Sequence, residues 1–394
     1  MSDLGYKAEG GVLTLQVKGH IDSANAPALE EEINKVREAQ PAESVVIDCA
    51  DLEYISSAGL RIILRLKKAC PDVKIINVSG DVYEILETTG FTEMMEVHKA
   101  SRQISVEGCE VIGQGANGKV YRIDRDTIVK VYLDPNSLDD IKRERELART
   151  AFVLGVPTAI PFDVVKVEGG GYGSVFELLD AKSLAKLLQA GEKTVDEVAQ
   201  ISIDLLKIIH STEVKPGSVP DMKQTALGWA DFLKDYLEPQ YYEKLHALVE
   251  AVPEDFHMMH GDYHLKNVMV QNGEALLIDM DTLCYGHPVF ELASMFNAYS
   301  GFSELDPSVM KAFLGIEREQ GLQIWDKSLK LYLGTEDAER IKEVAEKAQI
   351  IGYTRLMRRR IRRNGLNEEE GKREIACYKK HLEDLIPRTE TLVF

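Results

Sequence analysis

The chain has 394 residues, a formal net charge of −18, 44% hydrophobic residues and 28% charged residues. This composition indicates a folded globular protein of two or three domains, and the acidic balance argues against nucleic acid or an anionic membrane as a main partner. No apolar run reaches membrane-spanning length, the N-terminal residues lack a basic start and an apolar core, and the five cysteines form no CxxC pair, so we expect no signal peptide, disulfide framework or zinc site, and a cytoplasmic location.

Residues 1–102 are predicted to form a small α/β domain, because segments of strand character alternate with segments of helical spacing. Strands are expected at 12–17, 44–49 and 73–78, and helices at 26–39, 58–69 and 82–88.

Residues 103–394 are predicted to form a second, bilobal α+β domain, β-rich over about 103–180 and α-rich over about 181–394. The expected elements of the first lobe are strands at 110–123, 126–132 and 173–179 and a charged amphipathic helix at 137–154. Helices dominate the second lobe, apart from a strand-like passage at 268–278.

A glycine-rich segment, Gly113-Gln-Gly115-Ala-Asn-Gly118, lies at the start of the second domain. Glycines allow the backbone to approach phosphates and to point its N–H groups at them. Dinucleotide-binding folds use the same spacing but continue into a helix, whereas the residues after Gly118 are strand-like. The pattern favours a hairpin loop over nucleotide phosphates, with an ordinary glycine-rich turn as the alternative.

Lys130 lies between apolar residues of a predicted strand, Thr-Ile-Val-Lys-Val-Tyr. In a nucleotide site its ammonium group would pair with the α- and β-phosphates; the alternative is a lysine on the solvent face of an edge strand. The helix at 137–154 offers acids that could orient it. We favour Glu144, with Glu146 as the alternative, and either could instead be a solvated helix charge.

Two polar segments of the second lobe read His260-Gly-Asp262-Tyr-His264-Leu-Lys-Asn267 and Leu276-Leu-Ile-Asp279-Met-Asp281. Phosphoryl transfer needs a carboxylate near the attacking hydroxyl and ligands that hold Mg²⁺ against the phosphates. Asp262 and Asn267 are five residues apart, as in the kinase catalytic loop, and Asp279 ends an apolar strand twelve residues later. Together with the glycine loop and Lys130 in the same order, these residues predict an ATP- and Mg²⁺-dependent phosphotransferase.

Over about residues 105–394 these motifs resemble the aminoglycoside phosphotransferase and choline kinase branch of the kinase-like superfamily, the phosphotransferase enzyme family. The resemblance implies a protein-kinase-like fold in which Asp262 is the catalytic base and Asn267 and Asp279 are Mg²⁺ ligands. It further implies that Asp281 assists the metal and that His260 braces the loop.

The same resemblance implies a hinge at 175–179, where the backbone around Glu177 and Leu179 receives the adenine of ATP. The other nucleotide contacts that it implies are Gly113, Gly115, Gly118, Lys130 and Glu144. The family often has aspartate where this chain has Glu291, and this departure concerns the bracing of the catalytic loop.

A basic run near the C-terminus contains Arg355, Arg358, Arg359, Arg360, Arg362 and Arg363. It is either a site for an acidic substrate or protein partner, or a basic helix neutralised by nearby acids at 368–370, and we favour the second interpretation because charge runs are usually solvated. So dense a cluster argues against a polycationic acceptor such as an aminoglycoside. We therefore predict a neutral or anionic small molecule with a hydroxyl group as the acceptor.

In the first domain, Ser56 and Ser57 precede a predicted helix in the segment Ile-Ser-Ser-Ala-Gly-Leu-Arg. A helix N-terminus stabilises a phosphoserine, although either serine could simply be an N-cap. Residues 1–98 resemble the STAS domain of anti-sigma-factor antagonists, which implies a phosphorylation switch at Ser57 that controls binding of a protein partner. Many relatives carry aspartate where this chain has Ser56. An alternative for the whole chain is a signalling protein whose kinase-like domain phosphorylates protein or only binds nucleotide.

Overall fold

The computed structural model describes residues 4–100, 102–114, 118–134 and 137–394. The chain divides into two compact units, Met1–Ile104 and Ser105–Phe394. Among the described residues, no helix is both long enough and apolar enough to cross a membrane.

The first unit is built on one twisted sheet with the strand order β1-β2-β3-β4-β5. Its elements are β1 (Gly5–Glu9), β2 (Val12–Ile21), α1 (Ala26–Ala39), β3 (Ser44–Ile55), α2 (Ser57–Ala69), β4 (Val73–Val78), α3 (Gly80–Thr88), α4 (Phe91–Met94) and β5 (Glu96–Lys99), followed by β6 (Gln103–Ile104). β1 pairs antiparallel with β2, and the remaining neighbours are parallel. Parallel pairing requires crossover connections, which the helices supply.

The strand β3 is longer than predicted, because it continues past Cys49 to Ile55. Leu52 and Ile55 are buried, but exposed charged residues, Asp51 and Glu53, lie next to them. Two irregularities in the pairing of β3 with β2 accommodate this mixed segment. The prediction of this strand from its continuous β-branched run therefore ended too early, at residue 49.

The first lobe of the second unit is an antiparallel sheet in which β10, β11, β9, β8 and β7 are neighbours in that order. Its elements are β7 (Glu110–Gln114), β8 (Gly118–Arg122), β9 (Thr127–Tyr132), α5 (Leu138–Val153), β10 (Pro161–Val167) and β11 (Tyr172–Glu177). The strand predicted at 110–123 is thus two strands of a hairpin, and this part of the prediction was wrong.

The second lobe is mainly helical. Its elements are β12 (Lys182–Ser183), α6 (Leu184–Gln189), α7 (Val195–His210), α8 (Met222–Phe232), α9 (Pro239–Glu250), β13 (Met258–Met259), β14 (Val268–Gln271), β15 (Glu274–Leu277), β16 (Cys284–Tyr285), α10 (Val289–Tyr299), α11 (Ser308–Leu314), α12 (Arg318–Leu333), α13 (Ala338–Arg362) and α14 (Glu369–Arg388). Every residue of α10 is buried.

The hairpin of β14 and β15 positions two polar residues of the second lobe. Asn267 directly precedes β14, and Asp279 comes two residues after β15. Since antiparallel strands bring the start of one next to the end of the other, the two residues lie at the same end of the hairpin. The Ile278 N–H donates to the Asn267 carbonyl at 3.0 Å.

Candidate active site

The lysine of β9 points into the molecule and contacts two acids. Side chains two apart on a strand share a face, so Lys130 and Tyr132 lie side by side. Lys130 Nζ is 2.8 Å from Glu144 Oε1 and 2.7 Å from Asp279 Oδ1, and the Tyr132 hydroxyl donates to the other oxygen of Glu144. Glu146 instead pairs with arginines of its own helix.

This cluster keeps Lys130 charged. Burial alone would lower the pKa of Lys130, but the nearby carboxylates of Asp279 and Glu144 raise it above its usual value. Glu144 is 5% exposed, so the lysine and the glutamate form a buried ion pair that the α5 helix and the β9 strand hold in place. The same ammonium group also contacts Asp279, which belongs to the other lobe.

The glycine-rich loop is described at its two ends. Gly113 lies in β7 and Gly118 begins β8, whereas Gly115 falls outside the described residues. A Cβ added to Gly118 would lie 2.3 Å from the Val131 carbonyl oxygen, so only glycine allows β8 to approach β9 at this point.

The predicted hinge at 175–179 begins inside β11 and continues past its end. The Glu177 N–H donates to the Ile160 carbonyl at 3.1 Å, and the Leu178 N–H donates to the Asp126 carbonyl at 2.8 Å. These two N–H groups are therefore engaged within the lobe, and adenine binding by Glu177 and Leu179 stays a prediction.

The loop after β13 has a backbone that admits only glycine at its second position. Gly261 has φ +81°, and a Cβ there would lie 2.4 Å from the Thr282 carbonyl oxygen. The fully buried Glu291 of α10 accepts the N–H groups of His260 and Gly261, the latter at 3.1 Å. A ring N–H of His260 donates to the Ile278 carbonyl at 3.0 Å. The catalytic-type loop is thus fixed from both sides.

Glu291 is ionised despite its burial. Burial would raise its pKa, but His210, whose Nε2 lies 3.9 Å from Glu291 Oε2, together with His260 and the Gly261 N–H, lowers it below the usual value. Glu291 therefore braces this loop, although the family often has aspartate at this position.

Asp262, on the same loop, is an ionised carboxylate with a histidine and an arginine beside it. Its oxygens lie 3.5 Å from His264 Nε2 and 3.8 Å from Arg355 Nη2. Burial opposes ionisation, but His264, Arg355 and His260 hold the pKa of Asp262 well below its ordinary value. The side chain is 43% exposed, so a small molecule can reach it.

Three polar residues have oxygen atoms suited to a divalent metal. Asn267 Nδ2 donates to the Asp262 carbonyl at 3.0 Å, which leaves its Oδ1 for another partner. Asp279 adopts a left-handed backbone with φ 64°, and burial together with the charge of Asp279 raises the pKa of Asp281 to about 7. Carboxylate and amide oxygens are the ligands that Mg²⁺ prefers, and a cation would relieve the repulsion between the two aspartates. The residues present fit this ion.

Sequence reasoning missed three contributors to the site: Tyr132, His264 and Arg355. The first two carried a signal, since Tyr132 shares a strand face with Lys130 and His264 lies inside the catalytic-loop motif. Arg355 Nη1 donates to the Gly261 carbonyl at 3.1 Å. The interpretation of its arginine run as a neutralised, solvated face was wrong for this residue.

Comparison with known proteins agrees with these two units. Residues 108–326 match the model of the phosphotransferase enzyme family, and residues 5–104 match the STAS domain model. The chain belongs to the phosphotransferase enzyme family and carries a STAS domain before its phosphotransferase domain. Both predicted resemblances and the predicted fold class are confirmed.

One curated relative and two solved structures illustrate the similarity. BtrV of Bordetella bronchiseptica, named as an anti-sigma factor antagonist, is 34% identical over 91 residues, which are 22% of this chain and 78% of that protein. A choline/ethanolamine kinase family protein from Mesorhizobium loti is 14% identical, with 72% of this chain and 88% of that chain covered and a TM-score of 0.46. The aminoglycoside phosphotransferase APH(4)-Ia, in a ternary complex with AMP-PNP and hygromycin B, is 13% identical, with 72% and 94% covered and a TM-score of 0.49.

Proposed function

We propose that the second unit transfers the γ-phosphate of ATP to a hydroxyl group of a small molecule. The observation that carries this proposal is the joining of Lys130 to both Glu144 and Asp279, next to the loop that holds Asp262 and Asn267. The proposed reaction needs a phosphate-binding cation, oxygen ligands for a metal and a carboxylate close to one another, and this arrangement supports it.

Each residue has a distinct role in the proposed reaction. Lys130 pairs with the α- and β-phosphates, and Asn267, Asp279 and Asp281 would hold the metal. Mg²⁺, when bound, neutralises and aligns the phosphates. Asp262 accepts a hydrogen bond from the acceptor hydroxyl, and it takes the proton as that oxygen bonds to the γ-phosphorus and ADP leaves. Its low pKa makes it an orienting group whose proton transfer occurs late.

Two substitutions separate binding from transfer. Asp262→Asn should lower turnover by about 10²–10⁴-fold while the affinity for ATP and Mg²⁺, measured by calorimetry on the full chain, stays nearly unchanged. Asp279→Ala should weaken that affinity itself. Asp384→Asn, a change at a 71% exposed position, is the control. Full turnover in Asp262→Asn, or no binding of ATP with Mg²⁺ to the unaltered chain, would contradict the proposal.

A protein acceptor is the alternative for the same machinery. ADP release measured with a panel of hydroxyl-bearing metabolites, and separately with candidate proteins, distinguishes the two. Turnover with proteins alone would favour the signalling role that the STAS domain suggests.

We further propose that Ser57 is a phosphorylation switch. The Ser56 side chain accepts the Ala58 N–H at 3.2 Å and so caps α2, whereas Ser57 is exposed in the first turn of that helix. Capping therefore does not need the Ser57 hydroxyl, and a phosphate there would meet the positive end of the helix dipole.

Mass spectrometry of phosphopeptides addresses this switch directly. The full chain is incubated with ATP alone and with a cell extract, and partner binding is compared for Ser57→Asp and the control Ser57→Ala. Modification of Ser57 and altered binding in Ser57→Asp are expected. An unmodified Ser57 in both incubations, together with unchanged binding and kinase activity in Ser57→Asp, would leave the domain as a passive docking module.

A further inference from the structure

Five of the six arginines near the end of α13 lie on one face of that helix. Residues three and four apart on a helix are neighbours on its surface. The members of this arginine stripe follow that spacing and are Arg355, Arg358, Arg359, Arg362 and Arg363. Arg360 lies off the stripe.

Aromatic rings lie beneath the stripe. The guanidinium–ring centre distances are 5.5 Å for Arg355 and Trp229, 5.6 Å for Arg358 and Phe232, and 4.7 Å for Arg359 and Phe302. Two of these rings belong to α8 and one to the short turn Gly301–Ser303. Stacking on aromatic faces holds guanidinium groups in place without neutralising their charge.

The stripe lacks the acids that neutralise its neighbour. Arg360 pairs with Glu368 at 2.7 Å and also with Glu374. In the part of the chain that the structure describes, the stripe has one ion pair, the 3.8 Å contact of Arg355 with Asp262, and the other four arginines have none. Arg358 Nε is buried with no hydrogen-bond partner. In a chain of net charge −18, four of the five arginines of this patch thus carry a positive charge without an acidic partner among the described residues.

The charges of the stripe act on one another and on the catalytic carboxylate. Partial burial of its otherwise exposed side chain lowers the pKa of Arg359, and the positive charges of Arg363 and Arg355 lower it further, whereas Asp262 acts in the opposite direction. Arg359 therefore lies within electrostatic range of both its like-charged neighbours and Asp262. An anion placed among these guanidinium groups would relieve the repulsion and accept hydrogen bonds from their N–H groups.

We infer that the acceptor of the proposed transfer is an anionic hydroxyl compound, whose phosphate or carboxylate group binds Arg358 and Arg359 while its hydroxyl group reaches Asp262. This inference rests on the proposed function and adds the chemical class of the substrate. Guanidinium groups bind both anions in the same forked geometry, and the aromatic rings beneath them hold that geometry in place. A polycation would be repelled from the same surface.

Glycerol phosphate, glycerate and glycerol form a matched set of probes, since they share a skeleton with hydroxyl groups and differ in the anion. Binding to the full chain is measured with Mg²⁺ and a non-hydrolysable ATP analogue, by calorimetry and by tryptophan fluorescence, to which Trp229 under Arg355 contributes. We expect saturable binding of glycerol phosphate, glycerate or both, and none of glycerol. The two anionic arms show whether phosphate or carboxylate is preferred.

Variants test the role of the stripe. Arg359→Gln should weaken anion binding about tenfold or more, as expected for a lost charged hydrogen bond, and Arg359→Lys should restore part of it. Arg340→Gln, which removes a partly exposed arginine from the same helix, should change nothing. For any acceptor that turns over, Arg359→Gln should raise the KM for the acceptor and leave the KM for ATP unchanged.

Three results would overturn this inference: equal binding of glycerol and the anions, no saturable binding of either anion, or unaltered binding in Arg359→Gln. A phosphopeptide that binds in preference to both small anions would also overturn it in favour of a protein acceptor. Failure of the proposed function itself can be distinguished from these results, because the unaltered chain would then not bind ATP with Mg²⁺.

Discussion

Replacing Glu291 with alanine removes the carboxylate that accepts the N–H groups of His260 and Gly261 in the interior. A hydrogen bond to a charged group contributes about 1.5–3 kcal/mol, and a buried group left unpaired costs about 1–3 kcal/mol. The substitution also leaves His210 without its acidic neighbour. Because loss of one partner from a buried ionic arrangement costs about 3–5 kcal/mol, we expect the free energy of unfolding to fall by that amount.

Urea unfolding followed by tryptophan fluorescence measures this effect in the correct unit. Both tryptophans of the chain, Trp229 and Trp325, lie in Ser105–Phe394. Glu291→Gln, which keeps the shape and one acceptor oxygen, should be less destabilising than Glu291→Ala. Glu336→Ala, at an 85% exposed side chain, should stay within about 0.5 kcal/mol of the unaltered chain.

The pH dependence gives a second check. Burial would raise the pKa of Glu291, but His210, His260 and the Gly261 N–H outweigh it, so the pKa in the folded chain lies below the ordinary value of 4.5. The stabilisation is then fully present above pH 4.5 and is lost as the pH falls through the lower, folded value. A difference under about 1 kcal/mol at neutral pH, or one that grows on acidification, would refute the reasoning.

Glu144→Gln should raise the KM for ATP about tenfold, since Lys130 loses a charged hydrogen bond. Steady-state kinetics should show a smaller change in the KM for the acceptor. Gly261→Ala should destabilise the second unit by about 2 kcal/mol or more in urea unfolding, because its methyl group would meet the Thr282 carbonyl. Ser56→Ala should speed hydrogen exchange at the start of α2 about fivefold, as expected for a lost N-cap of about 1 kcal/mol, whereas Ser57→Ala should leave it unchanged. Mass spectrometry of exchanged peptides checks the last pair.

Regular patterns made part of the fold predictable. The helix Ala26–Ala39 and the strand Val73–Val78 have the predicted bounds, because the apolar residues of the helix follow one period and the strand is a short, mostly apolar run. The edge strand Gly5–Glu9 is mostly exposed, so burial imposes no such period on it, and β10 carries charged residues at Asp163 and Lys166. Strands whose pairing depends on a neighbour rather than on a buried face leave little trace in the sequence.

The candidate site divides in the same way. The spacing of the polar residues at 260–267 predicted that their side chains lie close together. The choice between Glu144 and Glu146 had a further signal, since Glu144 falls at helical spacing from the buried Ile141 and Ala148. Nothing comparable revealed Arg355, because helical spacing identifies a face but not the element that packs against it.

The complete burial of α10 has a consequence for how this enzyme class can diversify. Glu291 ties that helix to the transfer loop, and close-packed interiors transmit changes in volume, so substitutions in α10 are expected to disturb catalysis as well as folding. Arg359, by contrast, is exposed on α13, where a single change alters the charge offered to an acceptor without repacking the interior. Under the role inferred above for Arg359, acceptor preference can evolve by surface substitution while the phosphoryl-transfer machinery stays fixed.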